Sequence, residues 1–217
     1  MIVSHHRQFV FVAVPKVASQ SIRNVLRSCT VAGDWEQCGL YERRLFPIPH
    51  LSIKATGHLT LQELKPFLTQ YQWQNYFKFG FVREPLDRFL SACFFLIPRL
   101  QHHKNPNQMI LEYLDKPGWL NKIHLLPQSH FLCTNGEIST DFIGRYESLE
   151  QDILFLMDKF STESHIQIPA LNRTKARNHS FLPNEKIVTQ VEQIYARDYC
   201  LFNYSPPSES ADTEDND

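Results

Sequence analysis

The chain has 217 residues, 42% hydrophobic and 12% aromatic, enough to bury one sizeable core and short for two. Its 22 Lys and Arg face 23 Asp and Glu, and a net charge of −1 excludes a polycationic binder of nucleic acid or membrane surfaces. Any anion site must be local, and the longest apolar runs, such as Phe9 to Val14, are far below the roughly 18 residues of a membrane span.

The first seven residues, Met1 to Arg7, lack the apolar core and cleavage site of a signal peptide, so the mature chain is expected to start at Met1. Phe9-Val10-Phe11-Val12-Ala13-Val14 is a β-favouring run ended by Pro15, the pattern of a strand buried on both faces of a parallel sheet. From Ser19 the spacing of Ile22, Val25, Leu26 and Cys29 predicts a helix after a short loop. Residues 30 to 57 carry no legible element. Thr60 with Glu63 predicts a capping box, flanked by a Leu59–Leu64 hydrophobic staple, and Pro66 predicts a short or bent helix. Phe77 to Val82 is a second strand, and Pro85 then opens a helix whose Leu86, Phe89, Leu90, Cys93, Phe94 and Ile97 form the apolar face. Asp87, Arg88 and Ser91 are left on the other face. A third strand-helix unit runs from Asp141–Gly144 into a helix carrying Leu149, Ile153, Leu156, Met157 and Phe160. A last helix spans about 185 to 200, burying Ile187, Val188, Val191, Ile194 and Tyr195. The acid-rich stretch 205–217 reads as a disordered tail behind a single domain over 1–204.

Strands alternating with helices imply an α/β domain, a parallel sheet with helices on both faces, whose ligands bind at the carboxyl ends of the strands. Five scattered cysteines, Cys29, Cys38, Cys93, Cys133 and Cys200, with no Cys-x-x-Cys pair, predict reduced thiols and a cytoplasmic location.

Two strand-to-helix junctions are the candidates for chemistry. At Val14-Pro15-Lys16-Val17-Ala18-Ser19-Gln20-Ser21, a turn of small and hydroxyl residues enters a helix. Its unpaired backbone N–H groups and positive dipole end suit phosphate or sulfate. It is not a Walker A loop, because the lysine precedes the turn. Taken alone, a plain connection with a solvated lysine is an equally good account. At Phe81-Val82-Arg83-Glu84-Pro85-Leu86-Asp87-Arg88-Phe89-Leu90-Ser91, Arg83 lies just past a strand end where a guanidinium grips phosphate. By itself this junction is better explained by Arg83 pairing with Glu84 or Asp87.

Together, in this order, the two junctions resemble the 5′-phosphosulfate loop and the 3′-phosphate motif of sulfotransferases, closest to carbohydrate sulfotransferases of the Golgi-enzyme type and their bacterial relatives. His124 to Gln128, Asp141 to Asp152 and Leu171-Asn172-Arg173 also look like that family. The resemblance implies a P-loop-like fold and a 3′-phosphoadenosine 5′-phosphosulfate donor, with a carbohydrate hydroxyl as acceptor. It implies further that Lys16 contacts the transferring sulfuryl group, that Val17, Ala18, Ser19, Gln20 and Ser21 surround the 5′-phosphate, and that Arg83 and Ser91 hold the 3′-phosphate. Ala18 stands where relatives often have Gly, a tolerable departure unless the backbone there needs positive φ.

Transfer to an alcohol calls for a general base. His58, just before the capped helix and claimed by no apolar periodicity, is the expected base, and Thr56 to Thr60 resembles the segment carrying the catalytic histidine of heparan-type sulfotransferases. His124 is the main rival and Glu84 a distant one; without the nucleotide motifs a surface histidine is the better account of His58. The basic run Asn172 to His179 is ordinarily a solvated loop, and Arg173 is expected to close over the donor. No metal is expected, since the adjacent pairs His5-His6 and His102-His103 do not share a helix face. A P-loop-like kinase and a non-catalytic nucleotide-binding protein are the rival readings.

Overall fold

The structure is a computed structural model and describes residues 1–37, 46–52, 57–160 and 181–208. Its principal elements, in chain order, are β1 (Ile2–Ser4), β2 (Phe9–Val12), α1 (Ser19–Leu26), β3 (Trp35–Glu36), β4 (Phe77–Val82), α2 (Pro85–Leu96), α3 (Pro106–Leu114), β5 (Phe142–Arg145), α4 (Leu149–Phe160), α5 (Glu185–Ile194) and α6 (Ala196–Leu201). The described part of the expected 1–204 domain packs as two compact units, the first made of residues up to 82 and from 128 to 160, the second of 83–127 and the described residues from 181 onward. Residues 209–217, most of the expected tail, lie outside the described residues.

The first unit holds a five-stranded sheet in the order β3-β1-β2-β4-β5. β2, β4 and β5 are parallel, with Val12 opposite Gly80 and Val82 opposite Arg145. The sheet is not parallel throughout, as expected from the alternation of elements, because β1 and β3 pair antiparallel. The cause is local: only residues 5–8 separate β1 from β2, and so short a link closes a hairpin but cannot make a crossover. Neither β1 nor β3 was legible, since two or three residues carry no periodicity.

Along β4 the side chains alternate. Phe79 packs with Phe9 at 5.7 Å between centroids, and Phe160 of α4 reaches both, at 5.6 and 4.7 Å. α1 packs on α4 through Ile22, Val25 and Leu26 against Ile153, Leu156 and Met157. The opposite face carries Gly80, where an added Cβ would lie 2.5 Å from Leu132 Cδ2, so the Ser129–Leu132 helix sits almost on the strand backbone. Helices therefore cover both faces of this mixed sheet. The second unit is helical, with Phe89, Cys93, Ile97 and Leu100 packed among Ile110, Trp119, Leu125, Ile187, Val191 and Tyr195. The expected single helix over 185–200 breaks at Tyr195 into α5 and α6. Among the described residues, no helix is long and apolar enough to cross a membrane. Cys29, Cys93 and Cys133 are buried free thiols and Cys200 an exposed one, while Cys38 lies outside the described residues.

Candidate active site

The chain leaves β2 through Ala13, Val14 and Pro15, all buried, and enters a turn with an uncommon backbone. Lys16 has φ 68° and Ala18 φ 63°, both in the left-handed region. For an L-residue each such conformation costs roughly 1–2 kcal/mol. The turn is held by the Ser19 hydroxyl, which donates to the Val14 carbonyl, and by the Ile22 N–H, which donates to the Ala18 carbonyl at 3.1 Å. Ala18 is the N-cap of α1, no side chain caps that end, and its first turn holds no acidic residue. The first-turn N–H groups of Ser19, Gln20 and Ser21 thus have no intrahelical acceptor and sit at the positive end of the helix dipole. Lys16 and Ser21 are half-buried beside them, and Gln20 is exposed with its amide 3.4 Å from Asn24. Left-handed residues leading into an uncapped helix make a concavity of backbone donors suited to an anion. The β-carbon at Ala18, acceptable if φ were negative, is here a strained one.

His58 is tied to the same strand end. Its Nδ1 lies 2.7 Å from the carbonyl oxygen of Ala13. A carbonyl only accepts, so Nδ1 carries the hydrogen, and the lone pair of the neutral ring is on Nε2. Two devices hold the loop. On one side the predicted capping box is present, with Glu63 N–H donating to Thr60 Oγ1 at 3.1 Å and Thr60 N–H to Glu63 Oε2 at 2.9 Å. On the other, Arg23 of α1, only 3% exposed, donates to the carbonyls of Gln37 at 2.7 Å and Gly57 at 2.5 Å. The structure thus brings the Lys16 turn and His58 together around Ala13. The sequence does not reveal Arg23, because a basic residue within a helical pattern reads as solvent-facing; nothing in the periodicity marks it as a clamp.

β4 runs out at the same sheet edge as β2, and Arg83 is the next residue of the chain. Within the second unit, Arg83 is 4% exposed and its Nε donates to Asp87 Oδ2 at 2.5 Å. Glu84 caps α2, accepting from the N–H groups of Leu86 at 3.0 Å and Asp87 at 2.5 Å, and also from the Tyr199 hydroxyl at 2.8 Å. Burial, then the neighbouring Glu84 charge, pushes the Tyr199 phenol well above its usual pKa, so it remains a donor. These bonds give Glu84 a structural task that does not fit a base. Ser91 is half-buried farther along α2. Arg88 departs from expectation: it is fully buried, not on the polar face, and donates to the carbonyls of His124 at 3.2 Å and Leu126 at 2.9 Å with Tyr195 beneath its guanidinium. A guanidinium with enough backbone acceptors can be buried where the hydrophobic pattern alone forbids it. His124 packs its ring 4.8 Å from that of Phe95. Arg173 and the basic run to His179 lie outside the described residues. Among the described residues, no group of three or more His, Cys, Asp or Glu could hold a metal ion.

Comparison with known proteins bears on this geometry. A model described as "Sulfotransferase family" matches residues 1–205. Carbohydrate sulfotransferase 14 from Homo sapiens is 26% identical over 96% of this chain and 61% of its own length, and the Mus musculus protein of the same name is 27% identical over the same shares. Carbohydrate sulfotransferase 11 from Danio rerio is 24% identical over 96% of this chain and 68% of its own. The chain spans about three fifths of the length of the carbohydrate sulfotransferase 14 relatives it matches. No solved structure matches.

Proposed function

The chain belongs to the sulfotransferase family, and from that premise we propose that it transfers a sulfuryl group from 3′-phosphoadenosine 5′-phosphosulfate to a hydroxyl of a carbohydrate. The observation that carries the proposal is the uncapped, left-handed turn at Lys16–Ala18 with His58 pinned to Ala13 beside it. In this reading the parallel strands β2, β4 and β5 form a P-loop-like core. The N–H groups of the 17–21 turn receive the 5′-phosphosulfate, Arg83 and Ser91 receive the 3′-phosphate, and Arg173 contributes a further positive charge.

Such a transfer is in-line and loose, so positioning and charge stabilisation supply most of the catalysis. Lys16 stabilises charge gathering on the oxygen between sulfur and phosphorus as its bond to sulfur breaks, the bond to phosphorus staying intact. His58 Nε2 takes the acceptor hydroxyl proton as the new oxygen–sulfur bond forms, and adenosine 3′,5′-bisphosphate departs. The Ala13 carbonyl favours the imidazolium that results, because Nδ1–H donates more strongly from a charged ring. No metal enters this scheme.

Labelled donor and a panel of glycans test it, with Lys16→Ala and His58→Ala as controls. Both substitutions are expected to abolish transfer, and only Lys16→Ala to weaken donor binding. An unchanged rate in either variant removes that residue from the mechanism. Adenosine 3′,5′-bisphosphate should raise the melting point strongly and ATP with Mg²⁺ should not; the reverse order supports a P-loop-like kinase. A bisphosphate shift without transfer to any glycan supports a non-catalytic nucleotide-binding protein.

A further inference from the structure

We propose that the last turn of α3 and the segment following it form a binding site for an anionic polysaccharide, made of Tyr113, Lys116, Trp119 and Lys122. These residues recur at every third position, and the backbone folds so that the repeat becomes a cluster. Lys116-Pro117-Gly118-Trp119 is a type II turn: Trp119 N–H donates to the Lys116 carbonyl at 3.1 Å, and Gly118, after proline, has φ 73° and ψ 1°. A tight helical turn follows, with Lys122 N–H donating to the Trp119 carbonyl at 3.2 Å. The reversal sets the indole against the phenol ring, 4.7 Å between centroids at 61°. Lys116 Nζ then lies 3.3 Å from the Tyr113 centroid and Lys122 Nζ 5.5 Å from that of Trp119.

Both lysines are exposed, and neither ammonium is ion-paired among the described residues, although Glu112 and Asp115 share the segment. Glu112 accepts from the Gln108 side-chain amide at 3.1 Å. Each ammonium is held over a ring and keeps its outer side toward water. Such a contact is worth about 0.5–1 kcal/mol at an exposed site, so part of the entropy lost when a lysine grips an anion is lost already on folding. The Trp119 Nε1–H adds a buried donor with no acceptor among the described residues, a state that native interiors rarely leave without a water or ligand oxygen.

The chemistry favours a saccharide over a nucleic acid. Trp119 is only 5% exposed and packs edge-on, so it offers no open face on which a base could stack. Two preset ammonium groups beside a half-buried phenol suit uronate or sulfate-ester groups spaced along a sugar chain, with ring C–H groups against the tyrosine edge. The site rests on the sulfotransferase reading only in that such a polymer would be the acceptor.

The test uses the full chain and heparin as the anionic polysaccharide probe, with affinity followed across a salt titration. Lys116→Gln/Lys122→Gln should weaken binding roughly tenfold and flatten the log–log salt slope by about 1–2. The control Lys104→Gln/Lys186→Gln makes the same change in net charge at exposed lysines elsewhere and should leave binding intact. Equal losses in the two double variants reduce the effect to net charge and overturn the site. No binding by the wild type, or tighter binding of single-stranded RNA through the same lysines, overturns it too. The melting-point rise with adenosine 3′,5′-bisphosphate separates the two proposals. Cluster-dependent heparin binding without that rise removes the sulfotransferase reading and leaves the site, whereas the rise with cluster-independent binding removes the site alone.

Discussion

Replacing Ala18 tests the strained turn on which the proposed donor site depends. With φ 63°, Ala18 holds a conformation that costs an L-residue roughly 1–2 kcal/mol and glycine almost nothing. Ala18→Gly also frees the unfolded chain, which offsets about 0.5–1 kcal/mol of that relief. Glycine is the better N-cap by a few tenths of a kcal/mol or more, and α1 starts at this residue without a side-chain cap. The balance is a stabilisation of about 1 kcal/mol, or a melting point higher by roughly 2–4 °C for a chain of this size. Ala18→Val should move the other way by at least as much, since a β-branched residue resists the left-handed region more than alanine. Urea unfolding of the three proteins, compared at equal slope, measures both differences. A glycine variant less stable than the wild type, or a neutral valine variant, would falsify the assigned backbone. Donor binding by the glycine variant should survive, because the backbone N–H groups remain.

Arg23→Met removes two charge-assisted bonds to buried carbonyls, worth about 1.5–3 kcal/mol each, and loosens the loop before His58. Both the urea midpoint and kcat should fall, and a loss of stability with kcat unchanged would sever Arg23 from His58. Gly144→Ala places a Cβ against the ring of fully buried Phe81, so overpacking should cost about 1–3 kcal/mol, and an unaltered melting point would contradict that packing. Burial, only partly countered by Arg88, pushes the Tyr195 phenol up to about 12. A raised folded-state pKa means that its stabilising share is complete below the unfolded value of about 10 and is lost as pH climbs toward 12, roughly 3 kcal/mol in all. Tyr195→Phe should flatten stability against pH over that window, with Tyr199 still contributing its own alkaline slope; urea midpoints at pH 9 and pH 11.5 would show it, and equal slopes in both proteins would refute it.

Local rules account for what could be read without coordinates. The Thr60–Glu63 box, the helix opened by Pro85 and the buried runs at Phe9 and Phe77 depend on neighbours a few residues apart. The two strand-to-helix junctions are short contiguous stretches as well, but neither names its chemistry alone; only the pair, in order, resembles a family pattern. What the tertiary structure decided was the placement of groups distant in the chain. Arg23 joins residues 37 and 57, Arg88 is buried under the carbonyls of 124 and 126, and His58 is fixed by Ala13, its partner 45 residues earlier. The strain at Ala18 belongs to the same class, because an alanine does not announce its φ; the packing of β2 against its neighbours and the Ser19–Val14 bond impose it. Periodicity reports which side chains avoid water, whereas the direction of a hydrogen bond or the sign of a dihedral exists only once separate segments have closed on one another.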